Sequence, residues 1–223
     1  MFLVALCNSA LFFFWHTRNS PKAKLVTSIP KILVEDVARL PVRCIDFTTP
    51  ATKRAAQLDK AKQLCEKSLA GNDAEDALQF VEAELNGGRT DVVHDVLAFL
   101  ADRMMAMNQQ KRTTAKQFLT DLKDFHGIDV RALNPKTKLE EFWKLEAADV
   151  FAHLRKNTKV LAAQNVRLTQ TAEDNIRSRF SDAKEKLVPL ENQIVFTDQL
   201  IDQIVYRLYG LTNAEIKIVE GAG

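Results

Sequence analysis

Residues 180–208, FSDAKEKLVPLENQIVFTDQLIDQIVYRL, decide the fold class. Within them Phe180, Ala183, Leu187, Leu190, Ile194, Thr197, Ile201, Ile204 and Leu208 follow one another at alternating steps of three and four. That spacing puts them on one side of an α-helix, the a/d seam of a coiled-coil-like helix. Pro189 falls inside the seam and predicts a kink or a break near residue 188. Gly210 ends the helix, and Thr212-Asn-Ala-Glu215 reads as a capping box that opens a last short helix. A seam this regular needs a partner, and the predicted helix over residues 50–70 is the expected one.

Working outward, the middle of the chain reads as further helices. Thr49-Pro50 predicts an N-cap followed by proline at the first helical position. The helix then runs to Gly71, burying Leu58, Ala61, Cys65 and Leu69. A second follows Asp73, with Leu78, Val81 and Leu85 inward, and stops at Gly87-Gly88. Thr90 caps a third that carries Val93, Val96, Leu97, Leu100, Met104 and Met107. A fourth holds Phe118, Leu119, Leu122 and Phe125 and ends at Gly127. Residues 128–137 form a loop around Pro135, and short helices are expected over 138–144 and 146–156. Residues 19–48 differ: punctuated by Pro21, Pro30 and Pro41, they read as irregular, with KILV and VRCIDF as short candidate strands. The expected architecture is mainly α, a helical bundle with a long C-terminal helix and a small irregular or β segment near residues 19–48.

The opening, MFLVALCNSALFFFW, is almost wholly apolar. A secretory signal needs a basic region before its apolar core and a small-residue cleavage site after it, and neither is present. A membrane-spanning helix needs about 20 apolar residues, more than this run supplies, and Asn8 and Ser9 interrupt it. Leu3, Leu6, Cys7, Ala10, Phe13 and Phe14 instead recur at helical spacing, as in a buried helix. The alternative is a reversed anchor with HTRNSPKAK on the cytoplasmic side. With any covering layer removed, Phe12, Phe13, Phe14 and Trp15 form an exposed patch.

Composition excludes more than it identifies. The net charge of +2 advertises no global affinity for polyanions, but residues 1–44 hold six basic against two acidic side chains, a local +4. The three cysteines, Cys7, Cys44 and Cys65, are scattered without a CxxC pair, which fits a reducing cytoplasm. The four histidines are equally dispersed, so a metal centre is not expected. No nucleophile elbow, HExxH, phosphate-binding loop or GxGxxG is present. The run Asp182-Ala-Lys-Glu-Lys186 has the residue types of a nuclease metal site but reads as solvated helix surface.

Three segments carry a family signal: LPVRCIDF at 40–47 with TTPATKRAAQLDKAKQL after it, GRTDVVHDVLAFLADRMMAMNQQK at 88–111, and TDQLIDQIVYRLYGLTNAEIKIVEG at 197–221. Together they resemble the C-terminal part of the specificity region of type IIG-like restriction-modification adenine-N6 DNA methyltransferases. VALCNSALFFFW at 4–15 resembles the end of the target-recognition domain in those proteins. The resemblance implies two parts: residues 1–48, the truncated end of a DNA target-recognition domain, and 49–223, a helical scaffold domain. Members of that family move a methyl group from S-adenosylmethionine to the N6 of an adenine flipped out of the duplex. This chain has no (N/D)PPY tetrapeptide, no glycine-rich methyl-donor loop and no PD-(D/E)xK core.

The expected function is therefore that of a non-catalytic fragment of such a methyltransferase, in the cytoplasm. It would bind double-stranded DNA and a separately encoded methyltransferase or endonuclease subunit, with no membrane partner. No catalytic residue and no cofactor are expected in this chain; S-adenosylmethionine belongs to the parent family. Arg18, Lys22, Lys24, Lys31, Arg39 and Arg43 are the candidate phosphate contacts, with ordinary solvated charge as the competing reading. The alternative function is a helical protein-interaction module, or an inactive remnant, without DNA binding of its own.

Overall fold

The computed structural model describes residues 1–20 and 33–221. Among them the chain forms ten α-helices, three short 3-10 helices and no strand. The helices are α1 (Phe2–Cys7), α2 (Ala10–Asn19), α3 (Val34–Ala38), α4 (Ala51–Gly71), α5 (Glu75–Asn86), α6 (Thr90–His126), α7 (Ala147–Lys156), α8 (Thr158–Ala163), α9 (Gln170–Tyr209) and α10 (Asn213–Val219). The mainly helical architecture with a long helix near the C-terminus is as the seam requires.

The seam itself is buried at every position but Ile194, which is half-buried. No break occurs at Pro189: α9 continues through it. Proline removes the amide that would bond the carbonyl of Glu185. Both Pro189 and Glu185 are exposed, so water can take that carbonyl. The third and fourth expected helices are one, α6, running from Thr90 to His126. The polar run NQQKRTT at 108–114 between them contains neither Gly nor Pro, and its Gln, Lys and Arg are good helix formers.

The expected strands are absent among the described residues. Lys31 and Ile32 of KILV lie outside them, Val34 begins α3, and Val42–Phe47 carries no regular structure and has no partner strand. Its backbone is held instead by a side chain at the end of α9. The Tyr209 hydroxyl donates to the Pro41 carbonyl at 3.0 Å and accepts from the Arg43 amide at 3.0 Å.

Contacts divide the chain into two units, Met1–Met105 with Val195–Gly223, and Ala106–Ile194; α6 and α9 contribute a segment to each. The sequence boundary at 48/49 falls within the first. In that unit Ala61 and Cys65 of α4, Val92, Val93, Val96, Leu97 and Leu100 of α6, and Leu200, Ile201, Ile204 and Leu208 of α9 form one core with Leu6 and Phe12. The seam therefore packs against α6 as well as the expected α4. The polar margins of this core are tightly bonded. Arg54 grips Asp95 through two bonds of 2.6 and 2.8 Å, and His94 Nδ1 lies 2.9 Å from the same carboxylate. Phe47 stacks below the Arg54 guanidinium at 4.7 Å. The Glu84 carboxylate, also buried, accepts from Arg89 at 2.5 and 3.1 Å.

The second unit has its own core. Phe118, Phe142 and Phe180 pack with ring centroids 4.1, 6.0 and 6.2 Å apart, flanked by Leu122, Leu154 and Leu187. Here the segments of α6 and α9 run antiparallel, because Lys111 pairs with Glu191 at 2.7 Å and Asp121 with Arg179 at 2.8 Å. Partly exposed pairs of this kind are worth under about 1 kcal/mol each, so they set register more than stability. In place of the expected loop and helix over 128–144 lie 3-10 helices at Val130–Ala132, Lys136–Leu139 and Phe142–Lys144. The Asn157 side chain bridges this region, donating to the Asn134 carbonyl and accepting from its amide. Phe125, expected inside, is exposed and lies under the Arg179 guanidinium at 4.1 Å.

Candidate functional site

The basic residues expected to meet DNA are placed as follows. Lys22, Lys24 and Lys31 lie outside the described residues. Arg18, in the last turn of α2, is exposed, with its guanidinium 4.9 Å from the Phe14 ring. Arg39 is exposed just after α3. Arg43 has a structural task, because its guanidinium donates to the Leu208 carbonyl at the C-terminal end of α9. A cation there satisfies an orphan carbonyl and meets the negative end of the helix dipole. Among the described residues, Arg18, Arg39 and Arg43 share no hydrogen-bond, ion-pair or ring partner.

The opening run folds as α1 and α2, separated by Ser9, whose hydroxyl accepts from the Phe12 amide. Phe2, Leu6 and Phe12 are buried, so Phe12 does not belong to the expected aromatic patch. Phe13 is 60% exposed, and Phe14 and Trp15 are half-buried. A polar contact ties α2 to α9 as a cap: the Ala10 amide donates to Asp202 Oδ1 at 2.8 Å. No helix among the described residues is long and apolar enough to cross a membrane.

Beside α2 lies a cavity of about 50 Å³ lined by Cys7, Phe12, Phe13, His16, Asp36, Val37 and Leu40. His16 is 4% exposed; its Nε2 stands 3.3 Å from Asp36 Oδ2, and its Nδ1 has no partner. Asp36 also accepts from the Leu33 amide at 2.9 Å. That bond holds its carboxyl below the usual range, with the Ser20 hydroxyl and His16 adding to it against the opposing effect of burial. Cysteine, histidine and aspartate around one cavity have the residue types of a nucleophilic triad, but the thiol is not activated. Burial pushes the Cys7 thiol up, away from thiolate, and pushes Cys65 up to about 12. The His16–Asp36 pair therefore fastens α3 to α2. No sequence pattern marks this pair, because the two residues stand twenty positions apart.

A second polar cluster lies along α9. Burial, then the charges of Asp198 and Glu220, push the Asp202 carboxyl up to about 6 against the lowering bond from Ala10. Burial, then Asp202 and Glu220, raise the Tyr206 hydroxyl to about 12. The folded carboxyl of Asp202 thus titrates above its unfolded value, so the stability it contributes is full below about pH 4 and lost as pH rises through about 6. Asp202→Asn, whose side-chain oxygen can still accept from Ala10, is expected to stabilise the chain by about 1–2 kcal/mol at pH 7.5 and by almost nothing at pH 4. Urea unfolding at the two pH values checks this; an equal difference at both would sink it. Among the described residues no group of three His, Cys, Asp or Glu side chains could hold a metal ion.

Residues 91–205 match a family described only as a domain of unknown function (DUF8810). The matched span runs from the start of α6 nearly to the end of α9. No curated protein and no solved structure matches the chain.

Proposed function

We propose that this chain, which belongs to the DUF8810 family, is a non-catalytic helical module of a restriction-modification DNA adenine methyltransferase, contributing to target recognition and scaffolding. One observation carries the reading: the separate segments that bear the resemblance meet in one unit. Pro41 and Arg43 bond to Leu208 and Tyr209. Thr49 bonds to Asp91 through its amide at 2.9 Å and its hydroxyl at 2.8 Å. The opening helices reach the closing segment through Ala10 and Asp202. The stretches that bear the resemblance thus lie almost entirely within one folded unit, as a shared family segment requires.

On this reading the partners are duplex DNA and a separately encoded subunit that binds S-adenosylmethionine, and the setting is the cytoplasm. Arg18, Arg39 and the lysines at 22, 24 and 31 are phosphate contacts, which position a protein on DNA without reading its sequence. Duplex binding in a gel-shift titration is expected to weaken linearly in log–log form as salt rises from about 50 to 200 mM. Absence of binding at the lower salt would remove DNA from the function. The second reading, a protein-interaction module, is favoured by the exposed Leu3 and Phe13 side chains, 56% and 60% accessible. A clean monomer in size-exclusion chromatography with light scattering counts against a self-docking form of it.

A further inference from the structure

Charge is unevenly shared between the two units. Residues 106–194 hold 16 Lys and Arg against 12 Asp and Glu, a formal +4, which leaves 15 against 17, or −2, for the rest of the chain. Many cations of the second unit are paired: Lys111 with Glu191, Lys144 with Glu141, Arg155 with Glu173, Arg179 with Asp121 and Lys184 with Glu146. The other eleven form no ion pair among the described residues, and four of them are gathered in one place. Lys116, Lys123, Arg131 and Lys136 line a single groove of about 430 Å³, formed by the last turns of α6 and the 3-10 helices that follow. All four are exposed.

Their lack of partners is informative because carboxylates are at hand. Asp124, Asp129 and Glu140 line the same groove, yet none forms an ion pair with the four cations among the described residues. Asp129 is turned to the backbone, accepting from the Arg131 amide at 3.0 Å as the cap of the 3-10 helix. Asp124 and Glu140 are solvated. The basic head groups thus remain hydrated and free to exchange water and counterions for an anion. Lys116 and Lys123 stand two turns apart on one face of α6, about 10 Å along its axis. One DNA strand presents a phosphate for about every 3.4 Å of duplex axis, so a groove of that length laid along the axis meets about three of them.

We propose that this groove holds successive phosphates of the duplex DNA backbone, with Lys116, Lys123, Arg131 and Lys136 as the contacts. The assignment rests on the DNA-binding reading above but moves it to residues outside the basic stretch near the N-terminus. The contacts are independent of base sequence. The three carboxylates that line the same groove keep the affinity below that of an all-cation channel.

The test is a gel-shift titration of the full chain against a mixed-sequence duplex at several salt concentrations. The quadruple variant Lys116→Gln, Lys123→Gln, Arg131→Gln, Lys136→Gln changes only exposed side chains, and its helicity and melting temperature should match the parent. Its affinity at about 100 mM salt is expected to fall at least tenfold, and the slope of log K against log salt to drop by about three. An Arg18→Gln, Arg39→Gln control should lose less. Unchanged affinity and slope in the quadruple variant would overturn the groove while leaving the DNA reading intact. Failure of the parent chain to bind duplex at low salt would overturn both. Calorimetry with sodium tripolyphosphate separates the remaining source: binding as tight as to the duplex would make this a free-anion site and overturn the backbone assignment.

Discussion

Phe142→Ala is expected to lower the unfolding free energy by about 3–5 kcal/mol, the largest effect of any single truncation considered. Phe142 is wholly buried and touches Phe118, Phe180 and Trp143, with ring centroids 4.1, 6.0 and 5.5 Å away. Removing the ring takes away its own transfer free energy and its edge and tilted contacts with all three neighbours. The neighbours stand on different elements, Phe118 on α6 and Phe180 on α9, so the space left behind cannot close by shifting one helix. Phe142→Leu, which keeps most of the volume, should cost distinctly less. Urea denaturation followed by circular dichroism measures both. A loss for the alanine variant under about 1 kcal/mol would mean that the second unit contributes little cooperative packing.

Asp91→Ala is expected to cost about 2–4 kcal/mol, for a polar reason. Asp91 is fully buried in the first turn of α6. It accepts from the Thr49 amide and hydroxyl, just before α4 begins, and from its neighbour Val92. Truncation leaves the Thr49 amide without a partner and removes a negative charge from the positive end of a long helix dipole. Burial pushes the Asp91 carboxyl up, but the three bonds and the Arg54 charge outweigh it and hold the group below its ordinary value. The sign follows: a depressed carboxyl contributes stability above its unfolded value of about 3.9, and that stability is lost as pH falls through the folded value. The gap between parent and Asp91→Ala should therefore be full at neutral pH and narrow in acid below about pH 4. Thermal melts across pH 2.5–7 provide the check, and a gap constant over that range would refute the role given to the charge.

Thr49 illustrates where reading a sequence stops. Thr49-Pro50 has the residue types of a cap and a first helical turn, and α4 does begin at Ala51. The Thr49 side chain, however, is bonded to Asp91, forty-two positions away. A local rule sees the hydroxyl and the proline; it cannot see a buried carboxylate brought close by folding. Thr212 shows the contrary case. Its capping box with Glu215 forms as expected, because both partners lie within one turn and no distant group competes. The candidate site divides in the same way. Arg43 is a cation in the sequence, and only the packed end of α9 shows that it serves the Leu208 carbonyl. Lys116, Lys123, Arg131 and Lys136 stand apart in the sequence, and only the fold gathers them at one groove.

By itself the sequence determined the helical class, because a nine-member seam at steps of three and four is compatible with no other backbone period. It also determined where α9 stops, through Gly210, and where α10 starts, through Thr212. The tertiary structure alone decided the rest. It carried α9 past Pro189 and withheld any strand from Val42–Phe47 by giving that backbone a tyrosine instead of a neighbouring strand. The physical division is between short and long range. Periodicity, capping and glycine act within a turn or two of the chain. Burial, ion pairing and the gathering of like charges depend on which distant residues share a surface once the cores have closed.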